Sequence, residues 1–253
     1  MSLKFCHYLN RHRTKNLKKT CSKYLQIFCR FFFSWVIGIK PFPIKLEDEA
    51  NYIRVANEAE FKGAEFENKA TGWIHYPAIS IDEDIISADE DLKSVGKINI
   101  FSDDSKMEQG VGSAFCAFDS QQSIIKTWQA RLQDKNSILQ AELVGIREAI
   151  NYATTTAIET KIWSDSQSSL KANANQKTTT PIARQIQESF LQSSNIRLGW
   201  IKVHVGHTGN EKADELAKGA IVSTEVPLLQ IPFPRSSTER ELKEIALAKW
   251  QKH

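Results

Sequence analysis

The chain has 253 residues, enough for one domain of roughly 120 to 150 residues with about as much flanking sequence. Its net charge of +3 conceals a division: residues 1–45 hold ten Lys/Arg and no acid, residues 46–96 hold four against thirteen, and residues 97–220 hold fourteen against thirteen. The cysteines, Cys6, Cys21, Cys29 and Cys116, show no close metal-ligand pairing, which excludes a cysteine-held zinc site and leaves free thiols of a reducing compartment, nucleus or cytoplasm.

In chain order, the basic segment 1–45 comes first, charged so as to favour a polyanion or an anionic surface. Its apolar run "FFFSWVIGI", Phe31 to Ile39, is too short for the ~20 residues that cross a bilayer. An interfacial or partner-packed helix is the better reading of it, and no membrane partner is assigned. Residues 46–96 read as a polar helix broken near Gly63, then an acidic connector without clean periodicity that ends at a domain boundary near Gly96. From Lys97 the pattern sharpens. "KINIFS", "GVGSAFCAFD" and "SIIKTWQARL" alternate as three strands of a meander, with "DSQQ" as a turn. "NSILQAELVGIREAINYAT" changes period to that of a helix, with Leu139, Leu143, Ile146 and Ile150 on one face. "IETKIWS" is a strand, "DSQSSLKANANQ" a short helix, and "PIARQIQESFLQSS" a helix opened by Pro181. "IRLGWIKV" is the last strand and "GNEKADELAKGAI" the last helix of the domain. The tail, residues 221–253, holds prolines and then an amphipathic helix with Leu242, Ile245, Ala246 and Lys249 at helical spacings. The order β-β-β-α-β-α-α-β-α implies an α/β fold, a mixed sheet with helices packed on it.

Four acids occupy telling places. Asp103 closes the first strand, Glu142 lies in the first helix, Asp165 closes the fourth strand and Asp214 lies one turn into the last helix. Adjacent strands can set Asp103 and Asp165 side by side, and four clustered carboxylates repel unless cations neutralise them. The expected occupant is Mg2+, an oxygen-seeking ion, with two such ions able to act on a phosphodiester. Taken singly, each acid also has an ordinary use: Asp103 as a turn former, Asp165 as an N-cap, Asp214 as a first-turn helix acid and Glu142 as a salt-bridged side chain.

Over residues 97–220, "SDDSK", "QAEL", "SDSQS" and "HVGHTGNEKADELAK" resemble, in order, type 1 ribonuclease H, particularly the domain downstream of reverse transcriptase in non-LTR retrotransposons. The resemblance implies a ribonuclease H-like fold with a five-stranded mixed sheet and helices on both faces. It implies that Asp103, Glu142, Asp165 and Asp214 hold two Mg2+ ions, with Mn2+ as a substitute, and that His204 is the mobile histidine that assists water activation or product release. It also implies contacts to an RNA/DNA hybrid from Ser105, Lys106, Gln140, Ser166 and Asn210, and a reverse transcriptase as partner in cis or in trans. Asn210 is expected to cap the helix that carries Asp214, with Gly209 allowing the turn, while His207 reads as a packed loop residue.

One departure stands out. The family shows Asp-Gly-Ser where this chain has Asp103-Asp104-Ser105. Asp104 adds bulk and negative charge beside phosphates, so it attenuates activity, turns into solvent or supplements the metal site. The expected function is Mg-dependent endonucleolytic hydrolysis of the RNA strand of RNA/DNA hybrids. The rival is an attenuated or inactive retroelement-derived domain that binds hybrid or double-stranded nucleic acid, and a more remote one is a protein-interaction module whose acids are structural.

Overall fold

The structure is a computed structural model and describes residues 47, 50, 51, 60, 61, 64–71, 81, 82, 97–202 and 206–251. The apolar run Phe31 to Ile39, His204 and most of residues 46–96 lie outside these. The chain divides into two compact units, Ala59–Ser237 and a second composed of Met1–Glu58 with Thr238–His253. Among the described residues no helix is long and apolar enough to cross a membrane.

In the unit Ala59–Ser237 the chain begins with two short strands, β1 (Glu60–Phe61) and β2 (Ala64–Glu65), paired antiparallel with two residues between them. A polar helix was the expectation there; a two-residue connection that includes Gly63 suits a hairpin better. Two residues of the acidic connector, β3 (Ile81–Asp82), pair in parallel with a strand of the main sheet.

The main sheet follows the expected order of elements. Strands β4 (Ile98–Met107), β5 (Gly110–Asp119) and β6 (Ile124–Leu132) form the meander, and the turn after β5 is held by the Asp119 carboxylate, which accepts from the amides of Gln121 and Ser123. Helix α1 (Ile138–Thr156) starts at Ser137, whose side chain accepts from the Gln140 amide while the Gln140 side chain accepts from the Ser137 amide. Then come β7 (Thr160–Ser164), α2 (Gln167–Ala174), α3 (Pro181–Leu191) with Pro181 in its first turn, β8 (Ile196–Trp200) and α4 (Thr208–Val222). Helix α5 spans Arg235–Gln251. The five long strands make the mixed sheet, in the order β8-β7-β4-β5-β6, and β3 adds a short sixth strand beside β8.

The period-2 alternation of β4 divides the core. Ile98 and Ile100 point to one face, where Leu143, Ile146 and Ile150 of α1 are fully buried with Ile182 and Ile186 of α3. Phe101 points to the other, against Trp163, Phe118, Cys116 and Ala213 of α4. This two-faced arrangement removes both sides of the central strands from water, at about 25 cal/mol per Å² of apolar surface. Burial also pushes the Cys116 thiol up to about 11, so it stays protonated.

Within this unit, the segments before β4 and after α4 are tied together and to the sheet at specific bonds. Glu67 N donates to Phe233 O, Phe233 N donates to Glu65 O, and the Phe66 and Phe233 rings lie 6.4 Å apart. Farther along the tail, Leu229 N donates to Arg131 O and Arg131 N to Pro227 O, which covers part of the free edge of β6.

Candidate metal and nucleic-acid site

Strand lengths create the site. The parallel pairing of β4 with β7 ends at Ser102 opposite Ser164, so Asp103 and Asp165 are the next residues on two neighbouring strands that point the same way. Asp103 does not close its strand, as the sequence suggested. Pairing with β5 carries β4 on through Asp103, opposite Ala114, to Met107, opposite Gly110. Beyond Ser164 the β7 side of β4 is open, and the side chains there border a cleft of about 390 Å³ lined by Asp103, Asp104, Glu142, Asp165, Asn210 and Asp214, among others.

Alternation along β4 sends Asp103 towards α4 and Asp104 towards α1. Asp103, only 8% exposed, accepts from the Asp104 amide at 2.8 Å and from Asn210 Nδ2 at 3.5 Å. The same Asn210 Nδ2 donates to Asp165 Oδ2 at 3.2 Å, so one amide ties the two strand-end carboxylates together. Asn210 is therefore not the helix cap that was expected. His207 holds the N-cap position, packed with its ring 6.1 Å from that of Phe101, and Asn210 sits inside the first turn, aimed across at the acids. Gly209 is likewise inside the helix: a Cβ there would run into the Phe101 ring, so close packing, not a turn, requires glycine. Asp165 is not a cap either, since Ser166 takes that position on α2 and accepts from Ser169 N.

Glu142 is 1% exposed, one turn into α1, and Oε2 accepts from Ser164 Oγ at 3.3 Å. Its carboxyl also shares a hydrogen bond with Asp104, and the oxygens of Asp103, Asp104 and Glu142 lie within 4.8 Å of one another. Asp214 stands apart, paired with Lys218 Nζ at 2.5 Å one turn along α4. That hydrogen bond raises the Lys218 pKa. The lysine was missed in the sequence, although an acid and a lysine four residues apart on a helix are an ordinary signal.

The remaining expected contacts divide. Ser166 lines the cleft. Ser105 and Lys106 continue β4 away from it, and Lys106 Nζ donates to Asn136 O at 2.9 Å. Gln140 does not face the cleft, a correction to the expected hybrid contact. It is buried, with Nε2 donating to Glu67 Oε1 at 2.6 Å and to Pro232 O at 2.9 Å, which anchors both flanks to the start of α1.

Crowding of like charges out of water sets the protonation of the cluster. Burial first, then the Asp165 charge, pushes Asp103 up to about 8. Burial pushes Asp104 up to about 6 against the opposing effect of its hydrogen bond with Glu142. Glu142 is held well above its ordinary range, first by burial and next by the Asp104 charge. Because these folded-state values exceed the unfolded ones, the folded protein holds extra protons between about pH 4 and pH 8, and stability falls as pH rises through that window. Melting in a chelator should therefore occur at a higher temperature at pH 5.5 than at pH 8.5, and Mg2+ should narrow the gap by stabilising mainly the deprotonated cluster. A melting temperature that is flat, or that rises with pH in chelator, would contradict this ordering.

The donor set fits a hard divalent cation: carboxylate oxygens dominate the cluster, buried negative charge calls for a counter-charge, and no thiol is among the lining groups. In comparisons with known proteins, a family model described as RNase H matches residues 96–222. Ribonuclease H of Tropheryma whipplei (strain Twist) is 39% identical over 56 residues, 22% of this chain and 34% of the relative. Ribonuclease H of Francisella tularensis subsp. novicida (strain U112) is 53% identical over 34 residues, 13% of this chain and 22% of the relative. The chain thus spans about a third or less of the length of these curated relatives. A solved structure of LC11-RNase H1, isolated from compost, overlaps 50% of this chain and 96% of its own at a TM-score of 0.43 and 18% identity.

Proposed function

Because the chain belongs to the RNase H family through residues 96–222, we propose that its carboxylate cleft hydrolyses the RNA strand of an RNA/DNA hybrid with the help of divalent cations. The observation that carries this reading is the meeting of Asp103, Asp104, Glu142 and Asp165 at the one place where β7 stops and β4 continues. Asp103, Glu142, Asp165 and Asp214 would hold two Mg2+ ions. When bound, those ions supply Lewis-acid charge and an activated water at the phosphodiester. The protein's own part is placement. Asn210 fixes the spacing of Asp103 and Asp165, Ser164 orients Glu142, and Lys218 offsets the charge of Asp214. His204, which lies outside the described residues, is assigned the proton-handling role by its place in "HVGHTGNE". The cut would leave 5′-phosphate and 3′-hydroxyl ends, and the 2′-OH would mark the strand to be cut.

The motif order further supports a place beside a reverse transcriptase of the non-LTR retrotransposon kind, acting in cis or in trans. The proposed division is a basic segment 1–45, an acidic connector 46–96, the nuclease 97–220 and a tail 221–253. Residues 97–220 are nearly neutral, so grip on the hybrid comes from the basic segment or from that polymerase. An end-labelled RNA/DNA hybrid incubated with the full chain tests the activity. Mg2+-dependent cleavage confined to the RNA strand, absent with chelator and absent in Asp165→Asn, is the expected result. No cleavage in Mg2+ or Mn2+ by either the wild type or Asp104→Gly would remove the nuclease reading in favour of a domain that only binds nucleic acid.

A further inference from the structure

Asp104 occupies a position that the family gives to glycine, and the structure places its side chain in the site, not in solvent. We propose that Asp104 is a ligand of the first divalent cation, completing with Asp103 and Glu142 a three-carboxylate seat. This rests on the metal-dependent reading above and specifies which residues of this chain hold the ion.

Three observations lead there. The first is distance. Oxygens of Asp103, Asp104 and Glu142 lie within 4.8 Å of one another. In the octahedral shell of Mg2+, with metal–oxygen bonds of ~2.1 Å, adjacent ligand oxygens are about 3 Å apart and opposite ones about 4.2 Å, so side-chain closure of up to about 2 Å brings the three onto one ion. The second is direction. Alternation on β4 turns Asp104 to the α1 side, where it meets Glu142, and Asp103 to the α4 side, where it meets Asn210. A cation at the open edge beyond Ser164 would be reached from both faces. The third is a bridge. Asn210 is 9% exposed and lines the same cleft, and its Nδ2 donates to Asp103 Oδ2 and to Asp165 Oδ2, which holds the carboxylates of two strand ends at the position where a cation would join them to Asp104 and Glu142. Asp214, meanwhile, is paired with Lys218 and is not part of the three-carboxylate group. The residue that departs from the family pattern thus adds an oxygen donor to the cluster, which Asp214 faces from across the cleft.

The test is equilibrium binding of Mn2+ to the full chain, read by electron paramagnetic resonance of the free ion and by calorimetry. The variants are Asp103→Asn, Asp104→Asn, Asp104→Gly and Glu211→Gln. Glu211 lines the cleft outside the cluster and reports the effect of removing one charge alone. Removing an outer hydrogen-bond partner of a metal ligand costs about 10–100-fold in affinity, so loss of a ligand itself should exceed that range. Asp104→Asn and Asp104→Gly should therefore both bind Mn2+ more than about a hundredfold more weakly than Glu211→Gln does. A smaller loss in either Asp104 variant, down to wild-type affinity, overturns the ligand assignment while leaving the nuclease reading in place. If the wild type binds no Mn2+ and Asp103→Asn is indistinguishable from it, both fall together. Circular dichroism of each variant confirms that the comparison is between folded proteins.

Discussion

Asparagine in place of Asp103 should yield a protein that melts at a higher temperature in chelator than the wild type and fails in the hybrid cleavage proposed above. Asp103 is buried and held above its usual range by that burial and by Asp165, so folding must either protonate it or bury its charge; the isosteric amide avoids that cost and keeps an oxygen to accept from the Asp104 amide, losing only the long 3.5 Å contact from Asn210. Stability therefore rises. The same charge is what a divalent cation would bind, so activity should fall by on the order of a thousandfold, about 4 kcal/mol of transition-state stabilisation. Opposite signs in the two measurements are the point of the experiment. A site kept for folding alone would lose stability on mutation, and a lowered melting temperature with activity within tenfold of the wild type would show Asp103 to be structural.

The reason the fold was readable from Lys97 onward is that its signals are local. Alternation marks β4 and β5, the change to helical period marks α1, and Pro181 marks the start of α3. The order of the four acids carried the family resemblance. What escaped the sequence depends on partners far along the chain. Two adjacent aspartates read as the end of a strand, yet β4 runs on because β5 pairs with it over its full length. Gln140 read as a surface contact, whereas Glu67, 73 residues earlier, and Pro232, 92 later, claim its amide. Asn210 carries the type of a helix cap, and only the approach of α4 to the ends of β4 and β7 makes it a bridge between carboxylates. Glycine 209 had the look of a turn residue, and the Phe101 ring that explains it is over a hundred positions away.

Glycine also decides how α4 rests on the sheet, and here the second large effect is expected. Gly112 of β5 lies directly beneath α4, and a Cβ there would fall on the Ala217 carbonyl, backbone that cannot turn aside as a side chain can. Gly112→Ala should cost more than about 3 kcal/mol, the upper end of the ordinary overpacking range, and should reduce cleavage because Asn210 and Asp214 ride on the displaced helix. Gly219, on the same helix, has open space where its Cβ would be, so Gly219→Ala should stabilise by about 0.5–1 kcal/mol through helix propensity. Denaturant titration of the two variants checks both signs. Equal stabilities for the two would mean that α4 does not sit on β5 as described.

The bridge between Phe66 and Phe233 has a mechanical consequence. It joins, in parallel, a segment near the start of the unit Ala59–Ser237 to one near its end, through the bonds from Glu67 N to Phe233 O and from Phe233 N to Glu65 O. Tension from neighbouring polypeptide would draw the first segment backwards and the second forwards along the same line. Those bonds would be loaded together in shear instead of being peeled open one at a time, so the carboxylate cleft would be shielded from a pull on either end until the clasp gave way.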